Sequence, residues 1–150
     1  MMRCDDIHAI ETLIYHYADL IDAGRFEDVA RLFANACIVG PDGEECAGEG
    51  PVLALYQKTA RIYPDTGTPC TEHMTTNVSV QLSDEGATAT ASSRFTVLQA
   101  REDFPLQVII AGQYRDQFRK REGRWEFARR EMYPRLIGDL SRHLMVPLSP

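Results

Sequence analysis

The chain has no apolar run approaching the roughly 20 residues a helix needs to cross a bilayer, and no excess of positive charge. Its formal charge is −6, which argues against a nucleic-acid or anionic-membrane partner, because phosphates call for a basic surface. It has no C-x-x-C pair: Cys4, Cys37, Cys46 and Cys70 are scattered. It has no nucleophile elbow, no phosphate-cradling glycine loop and no H-E-x-x-H helix, so the commonest hydrolase, nucleotide and zinc signatures are missing. No repeat, low-complexity tract or linker divides it. The stretch Met1-Met2-Arg3-Cys4-Asp5-Asp6 turns acidic before any apolar run develops, unlike a secretory signal. Together with the scattered cysteines, this leads us to expect a cytoplasmic protein with reduced thiols.

What remains is an ordinary globular composition. Of 150 residues, 44% are apolar and 25% charged, which suits one domain, residues 1–150, with a sizeable core. The hydrophobic period is helical first. Ile7, Ile10, Ile14, Tyr17 and Ile21 recur at three and four residues, which predicts a helix from an N-cap at Asp5 or Asp6 to Ala23, closed by Gly24. Phe26, Val29, Leu32 and Phe33 mark a short second helix. Ala36 to Val39 reads as a strand and Gly40 to Gly50 as a loop. Pro51 opens a third helix running to about Tyr63.

From His73 onward the period becomes two. Runs beginning at His73, Thr88, Leu106 and Trp125 alternate, separated by turns at Ser83–Gly86, Arg101–Pro105 and Arg121–Arg124. Three consecutive hairpins make an antiparallel meander. Leu106, Val108, Ile110, Gly112, Tyr114, Asp116 and Phe118 are expected to share one face of a strand. Trp125, Phe127, Arg129, Glu131 and Tyr133 are expected to share one face of the last. Helices followed by long strands give the α+β class. Such strands twist strongly, and helices on one side of a twisted sheet enclose a hollow for a small molecule. Gly138 to Leu144 is expected to form one or two final helical turns.

The same segments carry a family resemblance. Tyr17-Ala18-Asp19-Leu20-Ile21-Asp22-Ala23-Gly24, then Leu32-Phe33-Ala34, then Thr71-Glu72-His73-Met74-Thr75-Thr76-Asn77, then Gly112-Gln113-Tyr114-Arg115-Asp116-Gln117-Phe118 with Gly123-Arg124-Trp125-Glu126-Phe127, resemble in order the motifs of the SnoaL-like branch of the nuclear-transport-factor-2-like superfold. Scytalone dehydratase and bile-acid 7α-dehydratase belong to that group. The resemblance implies a cone-shaped, curved antiparallel sheet with N-terminal helices packed on its concave face. It also implies a cofactor-independent dehydratase acting on a small cyclic or aromatic hydroxyketone, without metal. An isomerase or polyketide cyclase on the same residues, or a non-catalytic subunit such as the small subunit of an aromatic-ring dioxygenase, remains an alternative on this fold. A homo-oligomer is implied, a trimer before a dimer.

By the same resemblance, His73 is the general base, Asp22 the carboxylate that orients its ring, and Tyr17 the donor to a substrate oxygen. Imidazole suits the base because its unperturbed pKa is about 6.5. An acid in the last turn of a helix is disfavoured by the dipole, which suggests that Asp22 serves another purpose. Asn77, Arg94, Thr96 and Tyr114 are candidates for substrate binding. One of Arg129 and Arg130, which point to opposite faces, could enter the pocket. His143 has no obvious partner.

Two geometric conditions accompany these assignments. Tyr17 and Asp22 lie about 140° apart around an ideal helix, so one pocket must wrap the helix end to use both. Strict alternation puts His73 opposite Val78 and Val80, so His73 faces the helices only if a β-bulge interrupts the strand near Thr75 or Thr76.

Overall fold

The isoleucine stripe buries as its spacing implies: Ile10, Ile14, Tyr17 and Ile21 are all in the core. In the computed structural model, which describes residues 2–148, this helix, α1, spans Met2–Asp22. It starts earlier than expected, so neither Asp5 nor Asp6 is its N-cap. Instead Asp6 accepts hydrogen bonds from Trp125 Nε1 and Lys120 Nζ, both 2.7 Å, and fastens the helix start to a strand hairpin. At the other end Gly24 takes φ +70°, with its N–H donating to Ile21 O at 2.9 Å and that of Arg25 to Leu20 O at 3.0 Å. This left-handed cap needs a residue without Cβ. A Cβ here would also lie 2.5 Å from the Gly67 carbonyl oxygen.

Helix α2 spans Phe26–Leu32 and α3 spans Glu49–Thr59. The third helix thus begins two residues before Pro51, whose missing N–H is harmless in a first turn, and stops short of Tyr63. The glycine-rich stretch before it holds a strand, β2 (Glu45–Ala47), hairpinned to β1 (Cys37–Val39). The long strands are β3 (Thr71–Leu82), β4 (Thr88–Arg101), β5 (Phe104–Arg121) and β6 (Arg124–Ile137). They form the expected meander, in a six-stranded sheet of order β2-β1-β6-β5-β4-β3. Strand β1 joins β6 in parallel. The sheet curls without closing, and the helices cover its concave face.

Breaks in the strand ladders decide which side chains face inward. In β3 the ladder to β4 breaks between Thr76 and Ser79, and Asn77 has φ +53°. The expected interruption is therefore present, just beyond Thr76. It turns Thr71, His73 and Thr75 to the same side as Val78, Val80 and Leu82, the half-buried positions. Asparagine tolerates this left-handed backbone better than most residues.

Further breaks inside the long strands were not expected. The ladder skips Ile109 in β5, Ala128 in β6 and Arg135 in β6. As a result Ile109 is buried whereas Leu106 and Val108 are exposed, so the supposed single face of β5 changes sides at Ile109. Likewise Arg130, not Arg129, continues the inward face of Trp125 and Phe127. The segment after β6 makes turns rather than helix. Leu144 bridges Ala60 antiparallel at the end of α3. All four cysteines are free.

Candidate functional site

The cap at Gly24 halts α1 with Asp22 aimed at the first residues of β3. Its carboxylate is gripped from three directions there. Thr71 Oγ1 donates to Oδ1 at 2.8 Å, the backbone N–H of His73 donates to Oδ2 at 2.6 Å, and His73 Nδ1 lies 2.6 Å from Oδ1. The His73 side chain is mostly buried and that of Asp22 partly so. With a proton on Nδ1 shared with Asp22, the ring presents the lone pair of Nε2. The backbone bond fixes the carboxylate independently of the ring, so the imidazole has little rotational freedom.

His73 opens onto a cavity of about 260 Å³ between the helices and the sheet. Tyr17 and Ile21 of α1 and Tyr56 of α3 form one wall, and Phe95, Val97, Tyr114 and Met132 the sheet wall. Leu140, His143 and Leu144 of the C-terminal segment close it. The 140° separation of Tyr17 from Asp22 is resolved by the helix end: Tyr17 faces the cavity, while Asp22 reaches β3 and acts on the cavity only through His73.

The floor is polar beneath an aromatic surface. Tyr17 and Tyr56 hydroxyls hydrogen-bond each other, and the Tyr17 ring meets Tyr114 edge-on at 6.0 Å. Between Tyr17 and Tyr114 sits Arg130, fully buried, with its guanidinium carbon 4.2 Å and 3.9 Å from the two ring centroids. Asp116 binds Arg130 through two parallel hydrogen bonds of 2.8 Å. Burial opposes the guanidinium charge, but the Asp116 carboxylate against it raises its pKa overall. Burial pushes the phenols of Tyr17, Tyr56 and Tyr114 up, so they remain protonated donors at neutral pH. Gly112 allows this arrangement to form. A Cβ there would stand 2.6 Å from Phe95 Cζ, displacing the ring that stacks on Tyr114 at 4.5 Å.

The remaining sequence candidates lie elsewhere. Arg94 and Thr96 alternate with the buried residues of β4 and point to the outer face of the sheet. Asn77 is exposed at the bulge. None of the three lines the cavity; the same alternation that puts Phe95 and Val97 inside excludes Arg94 and Thr96, and Asn77 occupies the bulge itself. Tyr56, Arg130 and His143 are cavity or floor residues that the sequence motifs did not single out. For Arg130 the signal is ambiguous, since two adjacent arginines fit either phase. His143 reaches the cavity only because the chain returns across the sheet mouth after β6.

Three properties thus meet in one chamber: an oriented imidazole, protonated phenols, and walls that are mostly apolar. This arrangement can move a proton and stabilise a developing oxyanion. A family model for the SnoaL-like domain matches residues 2–131. The chain belongs to the SnoaL-like family.

Solved structures of the same fold agree. One is an NTF2-like protein with a cystatin-like fold from Novosphingobium aromaticivorans, 21% identical, with a TM-score of 0.74 over 87% of this chain and 82% of that one. A candidate scytalone dehydratase from the same organism is 22% identical, with a TM-score of 0.72 over 91% and 89%. The beta subunit of a candidate aromatic-ring-hydroxylating dioxygenase, also from that organism, is 18% identical, with a TM-score of 0.70 over 91% and 94%. At such identities the likeness is one of fold. No curated protein matches this SnoaL-like chain in sequence.

No helix among the described residues is long and apolar enough to cross a membrane.

Proposed function

We propose that this SnoaL-like protein is a dehydratase that acts on a small cyclic or aromatic β-hydroxyketone and needs no cofactor. The supporting observation is the 2.6 Å contact between His73 Nδ1 and Asp22 in a ring that opens onto the same chamber as Tyr17. His73 Nε2 removes the proton from the carbon next to the ketone. The electron pair moves onto the carbonyl oxygen, which receives a hydrogen bond from Tyr17, itself bonded to Tyr56. The enolate then collapses, the carbon–hydroxyl bond breaks, and the imidazolium returns its proton to the departing oxygen as water. Asp22 keeps the ring in one tautomer and balances its transient charge. Tyr114 and the Arg130–Asp116 pair hold the floor against which the substrate rests.

The test is turnover of 3-hydroxy-1-tetralone, which loses water to give 1-naphthol, followed by fluorescence and product mass. Wild type should convert it and His73→Ala should not, with both proteins folded. A product of unchanged mass would favour the isomerase or cyclase reading, which uses the same pair without loss of water. The fold likeness to a dioxygenase beta subunit supports a third reading, a non-catalytic partner. Co-purification with a large iron-containing subunit, and no turnover of 3-hydroxy-1-tetralone, would favour it.

A cytoplasmic location and a homo-oligomer, a trimer before a dimer, belong to the same proposal. The outer face of the sheet carries Leu106 and Leu136, 72% and 71% exposed, together with Val108 and Met74. Exposed apolar side chains on a sheet face favour association, and sedimentation would give its stoichiometry.

A further inference from the structure

We infer that His143 is a second imidazole of the site, a substrate-binding residue that hydrogen-bonds a hydroxyl group of the substrate opposite His73. The inference rests on the reading above and specifies which substrates fit it. His143 stands on the C-terminal segment, far in sequence from every family motif, yet lines the same cavity as His73. It is 9% exposed, and its Nδ1 has no hydrogen-bond partner among the described residues. Leaving a buried polar atom unpaired is costly, and neither ring nitrogen of His143 is engaged by a described residue, so the ring is free to turn toward a partner in the cavity it lines.

Its position is imposed by backbone rather than by its ring. Arg61 N donates to His143 O at 2.8 Å and Met145 N to Thr59 O at 2.9 Å. Tyr63 Oη and Gln99 Nε2 donate to the carbonyl of Arg142 at 2.6 and 3.0 Å. The imidazole is thus held at the cavity by its neighbours' bonds, while the ring itself is left without the partner that a purely structural histidine acquires.

The ring also stays neutral. Burial pushes its pKa down to about 4, the facing His73 charge adds to this, and Asp22 opposes it more weakly. A neutral imidazole cannot protonate a leaving group without becoming an anion. Its role is therefore binding: it can accept from a hydroxyl and donate to an oxygen. A charge on His73 repels a charge on His143, which keeps His143 neutral. Among the described residues no lysine or arginine lines the cavity, and Arg130 beneath it is paired with Asp116. The substrate class is accordingly an uncharged hydroxylated ring ketone, not a carboxylate or phosphate.

The experiment compares binding of 3-hydroxy-1-tetralone and 1-tetralone by calorimetry, using the catalytically silent His73→Ala so that the hydroxyketone is not consumed. The expected result is about tenfold tighter binding of the hydroxylated ketone, the value of one hydrogen bond. Adding His143→Phe should abolish the preference and leave 1-tetralone affinity within about twofold. Adding His143→Gln, which retains donor and acceptor, should keep part of it. In the His73→Ala protein the His143 ring carbon resonance should move with 3-hydroxy-1-tetralone and not with 1-tetralone, a readout that leaves His143 itself unaltered. An intact preference in both double variants, an unmoved resonance, or no binding of either ketone overturns the inference. If the preference depends on His143 but wild type never releases naphthol, the binding role stands and the dehydratase reading fails.

Discussion

Two carboxylates each hold a basic side chain on the concave side of this protein, and the two pairs differ in burial and in the chemistry of the basic partner. Asp116 and Arg130 are fully buried and joined by two parallel bonds. Asp22 and His73 meet at the cavity edge, the imidazole mostly buried and the carboxylate partly so. An arginine never deprotonates at accessible pH, so the first pair is a permanent fixture that locates Tyr17 and Tyr114. The second is a pair whose charge can come and go. The lesson is that the carboxylate is the same part in both, and the partner's titration range decides whether it supports structure or chemistry.

That contrast can be broken by experiment. The largest expected effect is on activity: His73→Ala should lower turnover of the β-hydroxyketone about 10²–10⁴-fold, with little change in the urea midpoint. Asp116→Ala should do the reverse to stability. Removing one member of a buried pair strands the other charge and costs about 3–5 kcal/mol, readable as a lower urea midpoint. If Asp22→Ala destabilised as strongly, the division between chemistry and structure would collapse. Next comes acidification. His143 titrates near 6.5 when unfolded and near 4 when folded, so the unfolded chain binds the extra proton. Stability is complete above about pH 6.5 and is lost as pH falls toward 4, on the order of 3 kcal/mol in all. His143→Phe should flatten that part of the profile in chemical denaturation. The smallest effect belongs to the bulge that turns His73 inward. Asn77→Ala should cost about 1–2 kcal/mol for its left-handed backbone, whereas Asn77→Gly should be close to neutral.

Much of this was legible from residue order, for physical reasons that differ by element. The isoleucine spacing fixes the inner face of α1, and the motif order implies the curled sheet. The bulge in β3 was foreseeable because polar positions at Thr71, His73 and Thr75 fall out of phase with Val78, Val80 and Leu82. No such mismatch announces the bulge at Ile109, which sits in the run Val108-Ile109-Ile110, apolar in either phase. Arg129 and Arg130 are equally silent. Asn77, Arg94 and Thr96 carry side chains suited to binding, but the alternation of β4 and the exposed bulge keep them out of the chamber. Tyr56 and His143 come from segments with no motif, and only the closure of α3 and the C-terminal strip over the sheet brings them in.

The strip that carries His143 is anchored through main-chain atoms. Such an anchorage is blind to residue identity. Mutation can therefore exchange what is displayed above the chamber while the display itself stays put, so recognition can diverge without any need to reinvent the architecture or disturb the proton-handling residues across from it.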